Sequence, residues 1–163
     1  MKFKNLLWLG LTLLAVGSAA QVVVDPDWKE SEAPPPPAFH SDQLIPIEMP
    51  RYVSLRFGVD PATLVITPDG IVRYVMVTKS ATGSISAMYE GIRCGRGEVK
   101  TYARLSASGH WSPVKDPQWQ RLNDNLPSRH AQALAQQGAC EGNSITGNST
   151  PDIIRALKYP RPR

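Results

Sequence analysis

Glu90, Arg93 and His110 are the polar residues of this chain whose types and positions best suit chemistry. A carboxylate at the end of a strand can orient a ligand or accept a proton, and a histidine titrates near neutrality. Glu90 with His110 is therefore the acid–base pair to weigh, for a small hydrolase or a carbohydrate-active enzyme. The competing reading makes Glu90 and Arg93 a local ion pair that fixes the turn before Cys94, and it is preferred. His110 and His130 have no partner at motif spacing and read as surface or hydrogen-bonded structural residues. The chain contains no G-x-S-x-G, H-E-x-x-H or G-x-x-x-x-G-K-[ST] pattern, and Gly95-x-Gly97 lacks the third glycine of a dinucleotide site, so it reads as a turn.

Cys94 and Cys140 are the only cysteines. An even count in an exported chain makes a disulfide the expectation. A zinc site using His110 and His130 would need ligands in close pairs, and these four residues are too evenly spread. No C-x-x-C redox pair is present. No metal or other cofactor is expected.

A second kind of chemistry is recognition. Arg96, Lys100 and Arg104 with Tyr102, joined by Arg56, form a basic, aromatic strip on the outward side of a strand. Arg93, Trp111 and Trp119 extend the candidate ligand surface, since indole rings stack on sugars and peptides. Such a surface suits an envelope protein or an anionic envelope component. A solvated strand face and core-packing tryptophans are the plainer alternatives.

The elements that must position these residues follow from periodicity. Val53, Leu55, Phe57 and Val59 alternate with polar residues from Tyr52 onward, which predicts a half-buried strand. Leu64–Thr67 and Ile71–Thr78 flank Pro68-Asp69-Gly70 and predict a hairpin. A strand from Ile85 runs into Cys94. A further strand puts Val99, Thr101, Ala103 and Leu105 inside and Lys100, Tyr102 and Arg104 outside. Pro127–Gln137 has helix formers, and Thr150-Pro151-Asp152 reads as a capped helix start. The expected fold class is α+β: an antiparallel sheet of about five strands with two C-terminal helices packed on one face.

The N-terminus reads as a leader. Lys2 and Lys4 precede the uncharged apolar stretch Leu6–Val16, and Ser18 and Ala20 fit a signal-peptidase site that cleaves between Ala20 and Gln21. An 11-residue apolar helix rises only about 16 Å, roughly half a bilayer core, so no transmembrane anchor is expected after cleavage. Residues 21–50 hold seven of the fifteen prolines, six acids and one lysine, and predict a disordered, acidic Pro-rich tether. The domain is then 51–159, with 160–163 a tail. Formal net charge is +4, but two of those charges leave with the leader. What remains is segregated, an acidic arm ahead of a basic domain. Export also removes nucleic acid from the expected partners.

The hexapeptide Tyr89-Glu90-Gly91-Ile92-Arg93-Cys94, with Lys100-Thr101-Tyr102-Ala103, Gly109-His110-Trp111, Asp116-Pro117-Gln118-Trp119 and Cys140, resembles the cryptic neisserial protein family. The likeness spans roughly Arg51 to Leu157. It implies a small exported protein of Gram-negative bacteria, periplasmic, with no assigned activity and no catalytic residue to carry over. Some family members are described as probable lipoproteins, but no lipid-accepting cysteine follows the leader here. The expectation is a periplasmic, non-catalytic interaction or envelope-associated domain, with the Glu90/His110 hydrolase as the alternative.

Overall fold

Val72–Lys79 is rich in β-branched residues, with a tyrosine and a methionine among them, and shows none of the polar alternation of a surface strand. Such a run is stable only with both faces covered. It forms the strand β4 of a computed structural model that describes residues 25–161. Its side chains divide between two cores, Val72, Tyr74 and Met76 on one face and Val75 and Val77 on the other. The expected leader, with its expected Ala20–Gln21 cleavage site, and the last two residues of the chain lie outside the described residues.

The strands in chain order are β1 (Ile45–Ile47), β2 (Arg56–Val59), β3 (Val65–Ile66), β4, β5 (Ile85–Arg93), β6 (Glu98–Leu105), β7 (Trp111–Pro113), β8 (Gln120–Arg121), β9 (Cys140–Glu141) and β10 (Ser144–Ile145). The first eight form one antiparallel sheet in the order β1-β2-β4-β5-β6-β7, with β3 beside β4 and β8 beside β6. The sheet thus has eight strands rather than about five, the extra ones being two- and three-residue strands too short for a periodicity signal. The hairpin about Pro68-Asp69-Gly70 forms as expected, with β3 paired to β4. Gly70 sits at φ +79°, where a Cβ would be strained.

The helices are shorter than the sequence suggests. α1 covers only His130–Leu134 before a wide π-type turn at Ala135–Ala139, and α2 covers Thr150–Lys158. Ala131, Leu134, Ile153 and Leu157 join Phe57, Val59, Tyr74, Met76 and Ile92 in the larger core. Ser149, not Thr150, caps α2, its hydroxyl accepting from the Asp152 amide at 3.4 Å. β2 starts only at Arg56, leaving Tyr52 and Leu55 exposed. Cys94 and Cys140 are disulfide-bonded, tying the end of β5 to β9 across 46 residues. That closure contributes about 4 kcal/mol in the chain-entropy model.

The expected outer face of β6 is broken. Pairing with β5 runs from Thr101 opposite Glu90 to Ala103 opposite Tyr89, so Tyr102 is an extra residue. A bulge of this kind reverses which side chains face which way beyond it. Lys100 and Tyr102 lie on the face of the smaller core, whereas Arg104 turns over and donates to Met88 Sδ at 3.3 Å, on the face of the larger one.

The largest correction concerns residues 21–50. The expected tether is part of the fold from Asp25, where description begins. Ile45–Ile47 is an edge strand paired with β2. Ahead of it, Trp28 to Leu44 crosses the second face of the sheet as a strap, with Ala33, Phe39 and Leu44 packed against Val75, Val77, Ala87, Tyr89 and Ala103. Four consecutive prolines suit this role, because an already extended segment loses little entropy on docking. The domain therefore does not begin at Arg51; residues 25–50 cover what would otherwise be an exposed apolar sheet face. Phe39 packs edge-on to Trp111, ring centroids 6.2 Å apart. Phe39→Ala should destabilise the protein by about 2 kcal/mol, roughly half the usual cost for a fully buried phenylalanine. Equilibrium urea unfolding checks this; an unchanged midpoint would mean the strap is a free tether.

Candidate functional site

Glu90 does not meet His110. It is 2% exposed on β5, inside the larger core. Both its carboxylate oxygens are engaged: Tyr74 Oη donates to Oε2 at 2.9 Å, His130 Nε2 donates to Oε2 at 2.8 Å, and Thr101 Oγ1 donates to Oε1 at 2.9 Å. Phe57 stacks on the His130 ring at 5.4 Å, and Nδ1 lies 3.0 Å from Ser128 Oγ. His130, read from sequence as a lone structural residue, is thus the partner of Glu90 from 40 positions away. His110 is exposed in the β6–β7 turn, its ring Nδ1 3.4 Å from Ser108 Oγ. The turn lies four residues along β6 from Thr101, roughly 13 Å at the usual strand rise. Nor does Glu90 pair with Arg93, whose guanidinium bonds Glu98.

Burial alone would push the Glu90 carboxyl up, but the His130 charge, with the hydrogen bonds from His130, Thr101 and Tyr74, outweighs it and holds the group below its ordinary value. Tyr74 is pushed well up, by burial first and then by the Glu90 charge and hydrogen bond. The arrangement joins β4, β5, β6 and α1 through one carboxylate.

A different group of residues presents chemistry toward the surface. Glu30, on the strap, is held by three donors from the sheet side: Lys100 Nζ at 2.8 Å, Tyr102 Oη at 2.9 Å and Trp119 Nε1 at 3.0 Å. Arg93 lies between two indoles, its guanidinium carbon 4.1 Å from the Trp28 ring centre and 5.0 Å from that of Trp119. The two indoles meet edge-on at 6.4 Å. Trp28 Nε1 donates to the Asp69 carbonyl at 2.9 Å. Ser31 N and Oγ donate to the Asp69 carboxylate, and Arg73 donates to the Ser31 and Glu32 carbonyls. Burial, then the Glu30 hydrogen bond and charge, push Tyr102 well up, so it stays a donor. Gly91 lies beneath: a Cβ there would stand 2.8 Å from Tyr102 Oη and 2.7 Å from Ile71 Cγ2, so only glycine lets Tyr102 reach Glu30.

Of the candidate ligand surface, Arg93, Lys100, Tyr102 and Trp119 are brought together. The others disperse. Trp111 packs on Phe39. Arg96 is exposed in the turn after β5, lining a cleft with Gln132, Gln136 and Cys140. Arg104 is on the opposite face, and Arg56 lies on β2 opposite Lys79, separated from β6 by β4 and β5. Sequence reasoning missed Trp28, Glu30 and Arg73. A tryptophan inside a segment otherwise composed like a disordered spacer was the available signal, since such spacers are poor in aromatics.

Fold and site define a class: a disulfide-stapled antiparallel sheet domain that carries its own acidic strap over a cationic, aromatic face. The chain belongs to the CNP1-like family, whose model matches residues 23–158 and so includes the strap. It is 28% identical over 146 aligned residues to "Cryptic neisserial protein 1" of Neisseria gonorrhoeae, covering 78% of this chain and 69% of the relative. No solved structure matches. No helix among the described residues is long and apolar enough to cross a membrane.

The Glu90 cluster predicts an acid-sensitive fold. Its folded-state pKa lies below the unfolded one, so on acidification the unfolded chain binds the proton first. The stabilisation is whole above the ordinary carboxylate value of about 4.3 and is lost as pH falls through the lower folded value. Glu90→Gln, which removes the charge facing His130, should cost on the order of 3 kcal/mol at neutral pH. Urea unfolding across pH should show the gap between wild type and variant closing below about pH 4. A pH-independent gap would contradict the assignment.

Proposed function

We propose that this protein is exported to the periplasm and acts there as a non-catalytic interaction domain of the cell envelope, recognising an envelope protein or an anionic envelope component. One observation carries the reading. The strongest candidate for acid–base work, Glu90, has both oxygens committed to core donors, while the densest cluster of cations and indoles, Arg93, Lys100, Trp28 and Trp119, surrounds a carboxylate near the surface. A buried carboxylate with both oxygens bonded to core donors is a fold element; a cation–aromatic cradle is a recognition element. The leader-like N-terminus and the Cys94–Cys140 disulfide support export to an oxidising compartment. A protein partner is favoured over lipid or polysaccharide, because the carboxylate in the cradle is presented on an extended backbone flanked by a tryptophan.

The second reading, a small hydrolase using Glu90 and His110, would need the two side chains to converge, and they lie in a core and in an exposed turn. Cell fractionation should place the mature chain, starting at Gln21, in the periplasmic fraction. In-cell crosslinking should recover a discrete envelope partner. His110→Ala should complement a deletion strain fully. Recovery of the chain only from the cytoplasm, or loss of complementation by His110→Ala, would contradict the reading.

A further inference from the structure

We propose that the strap is an internal competitor: the segment Trp28-Lys29-Glu30-Ser31 occupies a peptide-binding face of β5 and β6, and it gives way to an extended acidic segment of a partner protein carrying the same aromatic-x-carboxylate spacing. The inference rests on the reading of this face as an interaction surface and names what that surface reads.

The contacts resolve into a short recognition pattern. The Trp28 ring lies over the Arg93 guanidinium and edge-on to Trp119. Two residues later Glu30 takes donors from Lys100, Tyr102 and Trp119, and Ser31 engages the Asp69 carboxylate and Arg73. Ring, carboxylate and small hydroxyl residue are each met by a separate group of the sheet side. All three are matched by charge or hydrogen bonding, which fits a specific peptide site better than a general anionic face.

The strap is also the part of the fold best suited to leave. Between Lys29 and Leu44 it makes no strand or helix and, among the described residues, takes part in no backbone–backbone hydrogen bond. Its polar anchors are side-chain contacts, with Lys79 Nζ on the Ser41 carbonyl and the His40 amide on Asp60 Oδ2 at the far end. Segments of this kind open at lower free energy than ladder-bonded strands. The face also has donors to spare. The Nε–H groups of Arg73 and Arg93 are buried and have no acceptor among the described residues. Charge complementarity points the same way, for residues 25–33 carry four acids and one lysine while the face supplies Arg73, Arg93 and Lys100.

Because the strap is tethered, it competes at an effective concentration on the order of millimolar. A partner segment would therefore bind the intact chain weakly, its affinity reduced by the fraction of chains in which the strap is open. Loosening the strap should raise that affinity.

The test uses a fluorescein-labelled synthetic peptide copying residues 25–33, Asp-Pro-Asp-Trp-Lys-Glu-Ser-Glu-Ala, and the full mature chain, read by fluorescence anisotropy. The Trp28→Ala/Glu30→Ala variant should bind the peptide at least about tenfold more tightly than wild type. Glu30→Gln alone keeps the strap's apolar contacts and should give a smaller rise in the same direction, which holds the proposal open to refutation if the double variant fails to fold. Adding Lys100→Ala to either variant, or replacing the peptide's own Glu30 by Gln, should abolish the gain. A scrambled peptide of equal charge should bind no better to the variants than to wild type. Equal binding to wild type and variants, or binding indifferent to Lys100, would overturn the proposal and leave the strap a structural clasp. Anionic phosphatidylglycerol vesicles binding the opened chain in place of the peptide would also overturn it. A null result here, alongside a crosslinked envelope partner in cells, would remove this inference and leave the interaction reading standing; absence of any partner would remove the reading itself.

Discussion

The structure depends on one constraint: a sheet whose central strand is apolar on both sides must be covered on both sides. β4 shows it most clearly, with Val72, Tyr74, Met76, Val75 and Val77 each fully withdrawn from solvent. On one side the cover includes side chains from α1 and α2, Ala131, Leu134, Ile153 and Leu157. On the other it is a segment without regular structure, and that is unusual. An irregular cover brings little apolar area of its own, here Ala33, Phe39 and Leu44. It must therefore be fastened by polar contacts whose loss would free it. Glu30 is the fastening with the most partners, and it draws on the same cations and indoles that would recognise an outside ligand.

Two carboxylates thus divide the work. Glu90 is inward, and its donors come from β4, β6 and the start of α1, so it locks the helical side to the sheet. Glu30 is half-buried and its donors come from β6 and the segment before β8, so it locks the strap. Thr101 and Tyr102 are adjacent in sequence, yet one serves each carboxylate. Adjacent strand residues point to opposite faces, and the bulge at Tyr102 follows directly. Gly91 is the small residue that leaves room for the Tyr102 hydroxyl.

Much of the sheet was legible because it obeys period-two patterning and turn chemistry: the hairpin at Pro68-Asp69-Gly70 and the strands ending at Arg93 and Leu105. The disulfide followed from an even cysteine count together with the expectation of export. Three features could not be read, each for a physical reason. The strap has the prolines and acids of a disordered spacer, and its docking depends on partners 40 to 90 residues away. The bulge is a tertiary adjustment with no local signal, and it undid the continuous basic strip by turning Arg104 to the other face. The pairing of Glu90 with His130 rather than Arg93 or His110 spans 40 residues and a change from sheet to helix. Sequence proximity suggested Arg93 and residue type suggested His110, and neither is the partner.

The docked strap is the centre of this account, and its two indole N–H groups report on it directly. Trp28 Nε1 donates to the Asp69 carbonyl and Trp119 Nε1 to Glu30. Hydrogen exchange at these indoles, followed by nuclear magnetic resonance on the protein, should be slowed at least tenfold relative to an unfolded chain, the signature of a donor held in a closed hydrogen bond. Glu30→Ala should remove that protection at both. Exchange of both indole protons at unfolded-chain rates in the wild-type protein would contradict a docked strap, and with it the two-sided burial of the sheet.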